Sequence, residues 1–203
     1  MNRLITLPNL LSLMRIALTP LVLVCFWYGG SYMVLAMLLF TLAALTDFYD
    51  GYLARKYNAK SSLGSFLDPL ADKILVLSTF IALSMVGLVR WWMIVLIITR
   101  DVLITLLRML LLQMGEHMQT SQLAKWKTSV QFCGIYLLLW FLIAKSCDNW
   151  FARDLVKFFS AVHMTEIIMY GVVGFTSVTG FPYIVTYRAL LWRMVATRVK
   201  GHS

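Results

Sequence analysis

Two long stretches without a single charged residue most constrain the fold of this chain. Residues 16–46 contain no Asp, Glu, Lys or Arg, and neither do residues 74–89. Uncharged runs of this kind are typical of helices that cross a membrane, which need about 20 predominantly apolar residues. Of the 203 residues, 61% are hydrophobic and 13% are charged, whereas soluble domains average about 25% charged residues. The sequence therefore predicts an all-α integral membrane protein.

Six apolar segments predict a bundle of about six transmembrane helices. The Gly29-Gly30 pair separates the first two, and polar stretches around 58–65 and 114–124 are predicted loops. Residues 146–164 form a third loop, with room for a short amphipathic helix at 150–160. The length allows about six spans with short loops, so one domain is expected over residues 1–203, and we find no internal repeat. The six helices are placed at about 9–28, 32–57, 67–88, 91–113, 126–145 and 165–188.

Lys and Arg are distributed unevenly between the two predicted faces of the bundle. Cytoplasmic loops carry the excess of these residues, so we expect a multi-pass protein of the cell (inner) membrane with both termini in the cytoplasm. The net charge of +9 then reflects cytoplasmic loops and anionic membrane lipids, not nucleic acid. This orientation leaves Arg90, Lys145, Arg153 and Lys157 outside. It places Arg3, Arg55, Lys56, Lys60, Lys125, Lys127, Arg188, Arg193, Arg198 and Lys200 inside.

Four aspartates lie where the second predicted helix ends and the third begins. Asp47 and Asp50 are three residues apart, and Asp68 and Asp72 are four apart, so each pair shares one helix face. Because the two helices are consecutive and antiparallel, we expect these faces to converge at the cytoplasmic boundary. Crowded carboxylates repel one another, and a divalent cation relieves the repulsion. The sequence predicts that two Mg²⁺ or Mn²⁺ ions, about 3.5–4 Å apart, bind here and receive a diphosphate.

Small and basic residues accompany the aspartates. Gly51 has no side chain beside Asp50, and Ala54 has only a methyl group on the same helix face one turn later. A flat ligand such as a nucleotide can therefore approach the backbone, and Arg55 supplies a positive charge for its phosphates. Gly64 is expected where the loop turns back. Asp68 is expected to cap the third helix, because a proline follows it.

The complete pattern resembles the signature of the CDP-alcohol phosphatidyltransferases: Asp47-x2-Asp50-Gly51-x2-Ala54-Arg55-x8-Gly64-x3-Asp68-x3-Asp72. The resemblance implies that the phosphatidyl group of CDP-diacylglycerol passes to an alcohol and that CMP is released. It also implies a homodimer. By resemblance, Asp47, Asp50, Asp68 and Asp72 hold the metal ions, and Asp72 is the general base. The same resemblance implies that Asp47, Gly51, Ala54, Arg55 and Gly64 bind the CDP-lipid.

A polar stripe on the first predicted helix extends this resemblance. Asn9, Ser12 and Arg15 recur every three residues on an otherwise apolar segment. The stripe looks like the family's opening segment, which packs beside the nucleotide, so these residues are predicted to bind the CDP-lipid. An N-cap followed by an interfacial arginine is the structural alternative.

Basic residues on the fourth and fifth helices predict the type of acceptor. Arg and Lys near the aspartates favour an anionic alcohol, such as a sugar or polyol phosphate. The patterns Arg100-Asp101-x6-Arg108 and Lys125-x-Lys127-Thr128 are similar to those of the bacterial branch of the family whose acceptor is sn-glycerol 3-phosphate. Anchoring to lipid headgroups is the alternative for the two lysines. The predicted acceptor-phosphate residues are Arg100, Arg108, Lys125 and Lys127.

Other functions remain open at this stage. The same chemistry could use inositol phosphate, serine or phosphatidylglycerol as acceptor. An intramembrane prenyltransferase also binds a diphosphate through aspartates, but such proteins are longer and lack the Gly-x2-Ala-Arg segment. A cation transporter would carry its carboxylates near the bilayer midplane, often within inverted repeats.

Overall fold

The computed structural model describes residues 7–56, 62–113 and 122–200. Within these ranges every regular element is an α-helix, so the all-α prediction is confirmed. Short connections make consecutive long helices antiparallel. The helices are α1 Leu7–Tyr28, α2 Tyr32–Lys56, α3 Ser62–Met85, α4 Trp91–Gln113, α5 Gln122–Ser146, α6 Trp150–Ala161 and α7 Met164–Lys200.

Three segments of the described chain are long and apolar enough to cross a membrane: Leu10–Tyr28, Trp126–Ser146 and Met164–Tyr183. Two shorter apolar segments, Tyr32–Thr46 and Lys73–Met85, belong to α2 and α3. Large apolar side chains are also exposed along the outside of the bundle, where acyl chains would solvate them. The protein is therefore a membrane protein, and the number of about six transmembrane helices stays a prediction.

Glycine makes the sharp reversal between α1 and α2 possible. Gly29 and Gly30 have φ angles of 65° and 53°, in the left-handed region that glycine adopts without steric cost. The Gly29 N–H donates to the Cys25 carbonyl oxygen at 3.0 Å and closes the last turn of α1. The predicted break at this glycine pair is confirmed.

The start of α3 differs from its prediction. The helix begins at Ser62, so Gly64 lies within its first turn and not where the loop turns back. Asp68 lies inside the helix and does not cap it. The apolar residues Leu63 and Phe66 continue the helical spacing upstream, and this periodicity outweighs the capping signal.

Two further helices are longer than predicted, and one prediction is confirmed closely. α5 begins at Gln122, and α7 continues to Lys200 with Pro182 inside it. Residues 188–200 are mostly Arg, Ala, Leu, Met and Lys, which are good helix formers and extend α7 beyond the apolar segment. The amphipathic helix expected in the third loop is α6, and none of its residues is buried.

The apolar core and the buried polar residues occupy different depths of the bundle. We define the aspartate end as the end where α2 stops and α3 starts. The core fills mainly the opposite half, where Phe40, Phe80, Leu83, Met93 and Leu138 are fully buried. Buried polar residues lie mainly in the half nearer the aspartate end. They include Ser12, Arg15, Thr46, Asp101, Lys127, Gln131, Thr176 and Thr179.

At the opposite end, an ion pair joins the α3–α4 connection to the start of α7. Arg90 Nη2 lies 2.9 Å from Glu166 Oε1. The hydrogen bond to this carboxylate, and then its charge, raise the pKa of the Arg90 guanidinium. The pair links the two segments at the surface of the bundle, where an exposed ion pair contributes little to stability.

Candidate active site

The backbone places the aspartate signature on two consecutive antiparallel helices. Positions 47 to 55 lie in the final turns of α2, and positions 64 to 72 lie in the first turns of α3. The two helices contact each other, so both halves of the signature lie at the aspartate end. The side chains that carry the predicted metal, base and CDP roles lie outside the described part of the structure. These are Asp47, Asp50, Gly51, Ala54, Arg55, Gly64, Asp68 and Asp72.

The described side chains offer no rival metal site. Among them, no three His, Cys, Asp or Glu side chains come together. The metal-binding roles of the aspartates on α2 and α3 stay predictions.

α1 places a buried arginine beside the aspartate segment of α2. Ser12 and Arg15 are both 0% exposed. The helices α1 and α2 form a hairpin that turns at residues 29–31. Counted from the middle of this turn, Arg15 and Asp47 differ by two residues. At a rise of about 1.5 Å per residue, their backbone positions therefore differ by about 3 Å along the bundle axis. An interfacial anchor would reach water, so burial favours an interior role for Arg15. The side chain of Asn9 lies outside the described residues.

A buried carboxylate on α4 is the centre of a cationic cluster. Asp101 is 4% exposed and forms an ion pair with Lys127 of α5. Its Oδ1 also lies 3.2 Å from Arg100 Nη1, and its carbonyl oxygen accepts a hydrogen bond from Lys73 Nζ at 3.3 Å. We call Lys73, Arg100, Asp101, Lys127 and Thr179 the Asp101 cluster. Two cations, Arg100 and Lys127, share the one carboxylate of Asp101, and this balance of charge suits an anionic ligand.

α7 completes the cluster by packing closely on Arg100. Arg100 Nη2 donates to Thr179 Oγ1 at 3.2 Å. A Cβ atom on the next residue, Gly180, would lie only 2.7 Å from Arg100 Nε. The absence of a side chain at Gly180 therefore lets the guanidinium lie against the helix and reach Thr179.

The Asp101 cluster lies beside the aspartate-bearing segment of α3. Lys73 directly follows Asp72 in the chain and contacts Asp101 across helices. The cationic groups therefore begin one residue from the predicted general base. An anion held by the cluster would lie next to the site where the two halves of the aspartate signature meet.

The structure brings together two of the four predicted acceptor residues. Arg100 and Lys127 contact the same carboxylate, whereas the side chains of Arg108 and Lys125 lie outside the described residues. Lys127 is only 9% exposed, so the headgroup-anchor alternative does not fit it. Lys73 was not among the predicted site residues. Its position directly after Asp72 was a signal that it lies at the site.

Sequence reasoning also missed α7. Thr179 and Gly180 stand in an apolar segment with several other small residues, and no local pattern distinguishes them. Their contact with Arg100 depends on how α4 and α7 pack. The fold and site together define a helical membrane protein that carries, at one end, aspartates on two consecutive helices beside the cations of the Asp101 cluster.

The chain belongs to the CDP-alcohol phosphatidyltransferase family, whose model matches residues 5–178. It is 36% identical over 178 residues to a CDP-diacylglycerol--glycerol-3-phosphate 3-phosphatidyltransferase of Rickettsia bellii, covering 87% of this chain and 92% of the relative. It is 39% identical over 146 residues to the Bacillus subtilis protein of the same name, covering 66% and 76%. A probable phosphatidylglycerophosphate synthase of Mycobacterium tuberculosis is 40% identical over 141 residues, covering 68% and 67%. The family resemblance is thus confirmed, and the chain is a transferase.

Proposed function

We propose that this protein transfers the phosphatidyl group of CDP-diacylglycerol to sn-glycerol 3-phosphate, forming phosphatidylglycerol phosphate and CMP. The names of its relatives support this reaction. The observation that carries the choice of acceptor is the Asp101 cluster, because one carboxylate orients both Arg100 and Lys127, whose side chains are only 12% and 11% exposed. A phosphate offers Arg100 and Lys127 more negative charge and more acceptor oxygens than the single carboxylate of an acceptor such as serine.

The donor set fits a divalent metal ion. Four carboxylates on two adjoining helix ends supply only hard oxygen ligands, which Mg²⁺ and Mn²⁺ prefer. The family is generally dependent on divalent metals, and we propose that Asp47, Asp50, Asp68 and Asp72 hold two such ions. When bound, these ions would neutralise the diphosphate and the negative charge that develops on the departing CMP.

The chain's own residues then position the alcohol and move its proton. Asp72 takes the proton from the primary hydroxyl of glycerol 3-phosphate. The hydroxyl oxygen forms a bond to the phosphorus of the phosphatidyl group, and the bond from that phosphorus to the CMP oxygen breaks. CMP leaves with the electron pair of that bond. Arg100 and Lys127 hold the acceptor phosphate, so the attacking hydroxyl is presented in line with the bond that breaks.

The donor side of the site uses α1 and the end of α2. We propose that Asn9, Ser12 and Arg15 line the CDP pocket opposite Gly51, Ala54, Arg55 and Gly64. The depth of Arg15 relative to Asp47, and its complete burial, support this arrangement. We also propose that the aspartate end faces the cytoplasm of a bacterial inner membrane, because most Lys and Arg outside the apolar segments lie at that end.

The reaction is tested by CMP release from CDP-diacylglycerol by the purified protein in lipid with Mg²⁺. Glycerol 3-phosphate, inositol 3-phosphate, serine and phosphatidylglycerol are offered in parallel. We expect release with glycerol 3-phosphate, loss of release in Asp72→Asn, and loss with EDTA that added Mg²⁺ reverses. Release with another acceptor alone would overturn the choice of acceptor. No release with any acceptor from folded protein would overturn the proposed reaction.

A further inference from the structure

Two buried polar groups lie deeper than the Asp101 cluster. The amide nitrogen of Gln131 and the hydroxyl of Thr176 belong to residues that are 2% and 1% exposed. Neither atom forms a hydrogen bond within the part of the chain that the structure describes. Buried polar groups are almost always hydrogen-bonded, because leaving them unpaired costs free energy. These two groups therefore point to a ligand.

Thr176 differs from other buried threonines of the bundle. Thr79 donates to the Leu75 carbonyl oxygen at 2.8 Å, and Thr179 donates to the Phe175 carbonyl oxygen at 2.9 Å. Such bonds to the preceding turn are the usual way for a threonine to satisfy its hydroxyl inside an apolar helix. Because Thr176 makes no such bond, its hydroxyl can still both donate and accept.

The two groups lie at about the same depth on facing helices. α5 and α7 are antiparallel and meet closely at Gly134, where a Cβ would lie 2.6 Å from Val172 Cγ2. Toward the aspartate end, Gln131 lies three residues from Gly134 and Thr176 lies four residues from Val172. At about 1.5 Å per residue, their depths differ by only about 1.5 Å. The spacings also keep each residue on the α5–α7 contact face.

The cations lie one turn nearer the aspartate end. Lys127 is four residues from Gln131 on α5, and Thr179, which contacts Arg100, is three residues from Thr176 on α7. One helical turn is about 5.4 Å, a length that a short polyol phosphate spans between its phosphate and a hydroxyl. Arg100 Nε, which lies against Gly180 of α7, has no hydrogen bond among the described residues.

We propose that Gln131 and Thr176 form a subsite for the hydroxyl of the acceptor that does not react. This inference rests on the proposed function and adds the feature that the acceptor must carry. The Gln131 amide donates to the hydroxyl on the middle carbon of the polyol phosphate, and that hydroxyl donates to Thr176 Oγ1. The subsite therefore selects a phosphorylated polyol over a phosphorylated alcohol that has only the reacting hydroxyl.

The experiment compares two acceptors that differ in this single group. Initial rates of CMP release are measured with sn-glycerol 3-phosphate and with 3-hydroxypropyl phosphate, which lacks the middle hydroxyl. The variants are Gln131→Met and Thr176→Val, which keep the side-chain size and remove the polar group. Thr79→Val is the matched control, because it replaces a buried threonine outside the proposed subsite. Thr176→Ser retains the hydroxyl and should keep the native preference.

We expect the native protein to prefer glycerol 3-phosphate by at least about 10-fold in kcat/KM, because a site built to bind a hydroxyl rejects an analogue without it. In each subsite variant, kcat/KM should fall with glycerol 3-phosphate but not with 3-hydroxypropyl phosphate, so most of the preference is lost. Thr79→Val should retain the preference. Equal loss with both acceptors, or an unchanged preference, would overturn the subsite. If Gln131→Met does not fold, Thr176→Val and Thr176→Ser decide alone. A native protein that releases no CMP with glycerol 3-phosphate would instead overturn the proposed function.

Discussion

The substitution Gly180→Ala should displace Arg100 from the acceptor site. The added Cβ would lie 2.7 Å from Arg100 Nε, 3.0 Å from Cγ and 3.4 Å from Cδ. Because favourable contacts begin at about 3.5 Å, the side chain must withdraw by about 0.5–1 Å. The hydrogen bond from Nη2 to Thr179, now 3.2 Å long, would then lie at or beyond the limit of hydrogen bonding. A misplacement of about 1 Å can cost about 10²-fold in rate.

The assay varies glycerol 3-phosphate at saturating CDP-diacylglycerol and measures CMP release. We expect kcat/KM for glycerol 3-phosphate to fall by about 10- to 100-fold in Gly180→Ala, with KM for CDP-diacylglycerol little changed. Gly174→Ala is the matched control on the same helix, because nothing lies within 4 Å of a Cβ there. If the two variants show the same acceptor kinetics, Arg100 does not bind the acceptor in the way we describe.

Three further predictions test the packing and the orientation. Gly134→Ala should lower the free energy of unfolding by about 1–3 kcal/mol through overpacking, since its Cβ would lie 2.6 Å from Val172 Cγ2. Adding Val172→Ala to this variant should restore thermal stability, and failure of this rescue would refute the contact. Tyr136→Phe should cost about 0.5–1.5 kcal/mol, because the hydroxyl donates to Thr41 Oγ1 at 3.0 Å; unchanged thermal unfolding would contradict it. A membrane-impermeant maleimide should label exposed Cys147 from outside right-side-out vesicles, and labelling only after lysis would reverse the proposed orientation.

Most of the bundle could be predicted from the sequence, because uncharged runs and glycine pairs act locally. The limits of α1, α2 and α4 differ from their predictions by at most two residues. The start of α3 could not be predicted as well. Asp68 followed by proline is a strong local signal for a helix start, but the apolar spacing upstream carries the helix through it.

The candidate site was predictable only in part. The aspartate signature and Arg100 stand out because charges are rare in apolar helices. Gln131 and Thr176 are 45 residues apart in the chain, and neither is unusual in its own segment. Their shared depth follows from the close approach of α5 and α7 at Gly134. Pairing of this kind depends on tertiary packing, which no local pattern encodes.

In the proposed reaction, the acceptor's own hydroxyl oxygen attacks the lipid phosphorus. The most direct measurement uses sn-glycerol 3-phosphate that carries ¹⁸O in its primary hydroxyl, followed by mass spectrometry of the lipid product and of CMP. We predict that the label is retained in phosphatidylglycerol phosphate and that CMP is unlabelled. CMP release without a labelled lipid product would show that water or another group attacks the phosphorus, and it would contradict the proposed transfer to glycerol 3-phosphate.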